Sequence, residues 1–169
     1  MAESFAVNTN AATYVSWTFR KAPKFFDVVT YTGNGVDGRS IPHNLGIAPG
    51  MVIIKRTDAA GDWAVYHKNG TGGSDGALIL NTTVAGQGAI AFSSLTNSIT
   101  IYTSSFPVAI NSSGGTYVAY LFAHDASANG IIQCGSFTTD GGGNTIVTLG
   151  WEPQFILIKH SNAVSSNPK

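Results

Sequence analysis

The chain has little charge and a single cysteine. Only 11% of its 169 residues are Asp, Glu, Lys or Arg, and nine cations balance nine carboxylates to a net charge of zero. Soluble domains usually carry about 25% charged residues. A nucleic-acid binder needs a basic excess and a coiled coil needs abundant Glu, Lys and Leu, so the composition argues against both. The lone cysteine, Cys134, excludes an intramolecular disulfide, and four histidines beside it form no zinc pattern. In the run IIQCGSF it reads as a small buried apolar residue. No run reaches the roughly 18 apolar residues of a membrane helix. The N-terminal MAESFAVNTNAATYV lacks the basic start and apolar run of a signal peptide. The expectation is a soluble protein with no membrane insertion and no ordinary export signal.

What the chain does have is glycine and small polar residues: Gly, Ser, Thr and Asn make up 65 of the 169 positions. With 43% apolar and 11% aromatic residues, it is nonetheless rich enough to fold around a core. Short runs rich in Val, Ile, Thr, Tyr and Phe alternate with Gly/Asn/Ser/Asp clusters, the pattern of antiparallel β structure. Strands are expected at 13–19, 25–32, 51–57, 63–67, 77–81, 89–92, 98–103, 106–110, 116–123, 131–138, 145–149 and 154–160. No window sustains a helical period over three turns without Gly or Pro. The fold class is therefore all-β, an antiparallel β-sandwich of jelly-roll-like character. TYVAYLF is apolar on both faces, with Tyr117, Ala119 and Leu121 on one and Val118, Tyr120 and Phe122 on the other. Such a run reads as a central strand covered on both sides, as do MVIIKR and FILIKH.

The sequence also repeats itself. TYVSWTF at 13–19 matches TYVAYLF at 116–122 in four of seven positions, at an offset of 103. LGIAPGMVIIKR at 45–56 matches LGWEPQFILIKH at 149–160 in five of twelve, at an offset of 104. Thr30-Tyr31-Thr32 matches Ser136-Phe137-Thr138 at an offset of 106. Either a module of about 104 residues recurs along a longer chain, or a duplication inside one domain leaves two related halves facing each other; the first reading divides the chain into an arm at 1–12, a β-sandwich unit at 13–115 and a partial second unit at 116–169 packed on the first.

No constellation carries catalytic chemistry. Asp27 and Asp62 lie near strand starts, where a glycosidase pair could sit, but most carboxylates lie in Gly- or Asn-rich loops and read as turn residues. His43, His67, His124 and His160 are far apart, G-x-S-x-G is absent, and His124-Asp125 reads as a loop pair at a strand end. The loops TGNGVDG and DGGGNT lack the following helix of a phosphate loop and the ligand spacing of a calcium loop, and read as hairpin turns using positive φ. No catalytic, cofactor or metal residue is assigned. Trp63, Tyr66 and His67 in WAVYH are candidates for glycan contact, Trp63 and His67 on one face of the strand and Tyr66 on the other. Tyr117, Val118, Tyr120 and Phe122 are candidates for assembly contact.

The ordered series FFDVVTYTGNG, IPHNLGIAPGMVIIKR, DWAVYH, LILNTT and GGTYVAYLFAHD resembles a β-rich module, often of unknown function, of marine tailed-bacteriophage structural proteins. The resemblance spans about 13–160. It implies a non-enzymatic virion component, a tail-fibre or virion-surface module located in the virion and assembled in the host cytoplasm. The implied partners are copies of itself, first of all in a homotrimer, and other phage structural proteins. The alternatives are a carbohydrate-binding module recognising a host surface glycan, and a capsid decoration protein.

Overall fold

The computed structural model describes residues 9–70, 77–83, 92–102 and 108–161. Among them lie eight strands and no helix: β1 (Phe26–Thr32), β2 (Arg39–Pro42), β3 (Pro49–Arg56), β4 (Ala64–His67), β5 (Ala77–Ile79), β6 (Phe92–Ser94), β7 (Ser98–Ile101) and β8 (Thr116–Ala123). They form a five-stranded sheet of order β1-β8-β3-β4-β5 and a three-stranded sheet of order β2-β7-β6. Every pairing is antiparallel.

The two sheets share one core, which makes the fold sandwich-like. Tyr31, Val52, Ile54, Tyr66, Tyr117 and Leu121 from the larger sheet pack with Ile41, Ile99 and Ile101 from the smaller one, and Leu45, Val108 and Ile110 fill the ends. β8 and β3 are each paired along both edges, the central positions that their apolar runs predict. On β8, Tyr117, Ala119, Leu121 and Ala123 are buried, while Val118, Tyr120 and Phe122 are half-buried on the outside. The division expected after residue 115 falls just before β8, which is inserted between two strands of the preceding unit.

A polar network closes the end of the sandwich around the first glycine loop. The Tyr31 and Tyr117 rings stack at 5.1 Å; the Tyr31 hydroxyl donates to the Ile110 carbonyl at 2.7 Å, and the Ser112 N–H donates to the Tyr117 hydroxyl at 3.0 Å. Asn111 is fully buried and clasps the loop by accepting from the Asn34 N–H and donating to the Asn34 side chain and the Val36 carbonyl. Gly33 admits no side chain, since a Cβ there would lie 2.1 Å from the Ser112 oxygen, and Gly35 and Gly38 take positive φ of 70° and 73°. The expected hairpin is not found here: β1 and β2 belong to different sheets, and the loop carries the chain across the sandwich because Asn111 and Ser112 hold it at the rim.

The strands expected at 13–19, 131–138, 145–149 and 154–160 do not form; these residues run without ladder pairing and are mostly exposed. Strand-like composition does not by itself make a strand: the edges of β8, β3 and β4 are occupied, and these runs do not pair with the outer edges of β1 or β5. The strands expected at 89–92 and 106–110 lie largely outside the described residues. β2 escaped the sequence reading because it is short and ends on Pro42, which an edge strand tolerates.

Leu121 is 0% exposed at the centre of the core. Leu121→Ala should lower unfolding free energy by about 2–5 kcal/mol in urea titration. Val15→Ala, at an exposed position on the N-terminal segment, should change it by less than about 0.5 kcal/mol.

Candidate functional site

The ends of three neighbouring strands build an open cleft of about 470 Å³. β3 opens with Pro49-Gly50, β4 leads into Lys68, and β8 runs out into His124-Asp125; Lys24, Ile47, Ala48 and Tyr66 complete the walls. At this corner 132–134 crosses the sheet. The Asp125 N–H donates to the Ile132 carbonyl at 3.0 Å, and the Cys134 N–H donates to His124 Nδ1 at 3.1 Å. Gly50 makes the crossing possible: a Cβ there would stand 2.7 Å from His124 Cβ and 2.9 Å from Cys134 Cβ. The β3–β8 register also shifts between Pro49 and Met51.

The electrostatics of the cleft are those of packing. Burial pushes the Cys134 thiol up to about 11, which keeps it protonated and a poor nucleophile. His124 lies below its ordinary value because burial, and then Lys68, oppose its charge. His67 is lowered by burial, then Lys68 and His124. Asp125 turns to the Ser127 N–H at 3.0 Å rather than to His124, which uses Nδ1 on Cys134. His43, in the core, is lowered by burial; its Nδ1 accepts from the Leu45 N–H, so Nε2 carries the proton and donates to the Leu95 carbonyl at 3.2 Å.

The carboxylates hold local structure. Asp27 is buried, which alone would raise its pKa, but the Asn44 N–H, Lys21 and the Val28 N–H hold it below the ordinary value. Asp58 is lowered chiefly by its hydrogen bond from Arg56 and also accepts from the Thr116 N–H. Asp62 accepts from Asn81, and Asp140 accepts from the N–H groups of Gly142 and Asn144 to close the second glycine loop. Among the described residues, no group of three or more His, Cys, Asp or Glu could hold a metal ion, and no helix is long and apolar enough to cross a membrane.

The second feature is the outer face of the five-stranded sheet. Ile53, Val65 and Leu78 are buried in a separate apolar cluster, with Met51, Trp63, Leu80, Tyr120 and Phe122 packed half-buried around them. The glycan-contact candidates divide between this face and the core. Trp63 is on the outside beside the Lys55 ammonium, 5.9 Å from its ring centre. His67 is partly buried, its Nδ1 accepting from the Asn69 N–H. Tyr66 is 6% exposed and belongs to the core, so the three make no common platform. Among the assembly-contact candidates, Tyr117 is 1% exposed and sealed in its own core, where no neighbouring chain can reach it. Val118, Tyr120 and Phe122 are half-buried on the outer side.

Sequence reading missed one contributor, the N-terminal segment as a cover for the outer face. The Phe19 ring meets Phe122 at 6.2 Å, Phe26 at 5.6 Å and Phe25 at 6.1 Å. The signal was the dense Phe spacing around 19–26, but only the fold brings Phe122 to it.

Two predictions follow from these contacts. Gly50→Ala should destabilise the fold by about 1–3 kcal/mol, an overpacking cost, and should speed alkylation of Cys134 in the native protein by displacing 132–134. Lowered histidine pKa values mean that the unfolded chain takes up protons first as pH falls below 6.5. Stability contributed by these neutral imidazoles should therefore be complete above that value and decline as pH falls below it, seen as a falling urea midpoint, with a shallower decline in His124→Gln.

The comparisons with known proteins add a family but no activity. No curated protein and no solved structure matches the chain. Residues 1–167 match a family described as a domain of unknown function, DUF7483, and the chain belongs to that family.

Proposed function

We propose that the protein is a non-enzymatic structural module that works by assembling with copies of itself, as a tail-fibre or surface component of a phage virion. The observation that carries the assembly reading is the five-stranded sheet, apolar on both faces. One face is consumed by the sandwich core, and the other presents a second cluster rimmed by half-buried Met51, Trp63, Tyr120 and Phe122. An apolar face of this kind, on a chain with few charges to oppose contact, favours association. A homotrimer is the first assembly to test, with Val118, Tyr120 and Phe122 at or near the contact. The virion setting rests on the resemblance of the ordered motifs to marine phage structural modules. Two pairings of the fold suit it: β1 lies beside β8 and β2 beside β7, as they would in the jelly roll expected from the sequence. The non-enzymatic reading is supported by Asp27, Asp58 and Asp62, which are engaged in ion pairs and local hydrogen bonds, and by the buried thiol of Cys134 near the cleft, which is held protonated.

Trp63 supports a second reading, binding of a host glycan, because its partly exposed indole lies beside the Lys55 ammonium and its backbone N–H is held by Asn81, which donates in turn to Asp62. One experiment separates the two. Light scattering at micromolar concentration should give a multiple of the 17.6 kDa chain, reduced toward the monomer by Tyr120→Asp. A strictly monomeric protein that binds on a glycan array, with binding abolished by Trp63→Ala, would overturn the assembly reading in favour of the second.

A further inference from the structure

Among the described residues, eight of the fifteen exposed large apolar side chains lie in two segments, 14–19 and 155–158. Val15 and Trp17 represent the first, and Phe155, Ile156, Leu157 and Ile158 the second. Both segments repeat strands whose partners are known within this fold. Residues 13–19 repeat β8, residues 153–160 repeat β3, and Ser136-Phe137-Thr138 repeats part of β1. In the sandwich β8 lies between β1 and β3. The N-terminal segment is thus a β8 lacking its two neighbours, and the C-terminal region holds those two neighbours without a β8.

The register carries over residue by residue. Met51 faces Phe122, Ile53 faces Tyr120 and Tyr31 faces Tyr117. The offsets of the repeat then set Phe155 opposite Phe19, Leu157 opposite Trp17, and Phe137 opposite Tyr14. The same side chains already meet inside a single chain, without a ladder: the Phe19 and Phe155 rings at 6.1 Å, and Trp17 also 6.1 Å from Phe155, where the register would make it a diagonal neighbour. Within one chain the contact leaves most of both strands to water, with Val15 86% and Ile158 65% exposed.

We propose that residues 13–20 of one copy insert as an antiparallel strand between 132–138 and 153–160 of a second copy, linking copies head to tail. This rests on the self-assembly reading and adds to the outer-face contact at Val118, Tyr120 and Phe122 a second, strand-mediated one. Recognition comes from main-chain pairing on two edges, with side-chain register supplying specificity. The contact is heterologous, so successive copies form a ring or an open row.

The test mixes two single-cysteine chains on a Cys134→Ala background, one Phe19→Cys and the other Phe155→Cys, under mild oxidation at micromolar concentration. A covalent heterodimer is expected. It should be lost when Trp17→Asp is added to the first chain and when Val15→Cys replaces Phe19→Cys, which is out of register. If the mixture stays uncrosslinked while a chain carrying both cysteines closes on itself as a monomer, the strand seats in its own chain and the proposal is overturned. If the wild type assembles in light scattering, no heterodimer forms and Trp17→Asp leaves the mass unchanged, assembly uses another face. The proposal then falls and the self-assembly reading stands. A monomeric wild type that gives no crosslink removes both.

Discussion

The insertion of β8 between β1 and β3 is the constraint on which the rest of the structure depends. It joins residues far apart in the chain, pairing Phe26 with Phe122 on one edge and Met51 with Phe122 on the other. A strand paired on both edges satisfies its backbone entirely by ladder bonds, which frees its side chains for burial on both faces. Its inward side supplies Tyr117, Ala119, Leu121 and Ala123 to the sandwich core, and its outward side supplies Tyr120 and Phe122 to the second cluster. Long-range pairing of this kind also fixes where the loops must go. The first glycine loop meets Asn111 and Ser112 only because β1 and β8 end at the same rim.

At the other end of β8 the same geometry makes the cleft. Ala123 pairs with Pro49, and the next residues, His124 and Asp125, turn out beside Gly50 and Lys68. The crossing segment at 132–134 closes over Gly50, and its thiol is driven up by burial. A buried, protonated thiol and imidazoles held neutral by their surroundings are features of a packed corner. The proposed assembly would instead draw on apolar surfaces and strand edges, where unpaired backbone groups can template pairing with another chain.

The fold class was legible because alternation and turn chemistry are local. FDVVTYT, PGMVIIKR, AVYH and TYVAYLFA all become strands. The same local signal misled at 13–19 and 154–160, where equally strand-like runs lie exposed and unpaired. The difference between TYVSWTF and TYVAYLF is not in β propensity. It lies in whether two edges are present to receive the strand, and propensity is blind to that. Tyr117 shows the same limit from the other side. Its alternation partners suggested a face open to a neighbour, but the opposing sheet and Tyr31 enclose it. The split of Trp63 and His67 from Tyr66 was readable, since successive strand residues point to opposite faces.

By itself the sequence determined that the chain is built of strands, that β8 and β3 are central, that glycines shape the loops and that one cysteine forms no internal disulfide. Each follows from residue type and short-range periodicity, which depend on the backbone and not on distant partners. Only the tertiary structure decided which strands pair, that the first glycine loop crosses between sheets, and that Gly50 is required by His124 and Cys134. It alone decided that Asp27 is buried among Lys21, Val28 and Asn44, and that the strand-like segments at 13–19 and 154–160 join no ladder. These outcomes depend on contacts between residues far apart in sequence, and such contacts exist only once the chain has folded.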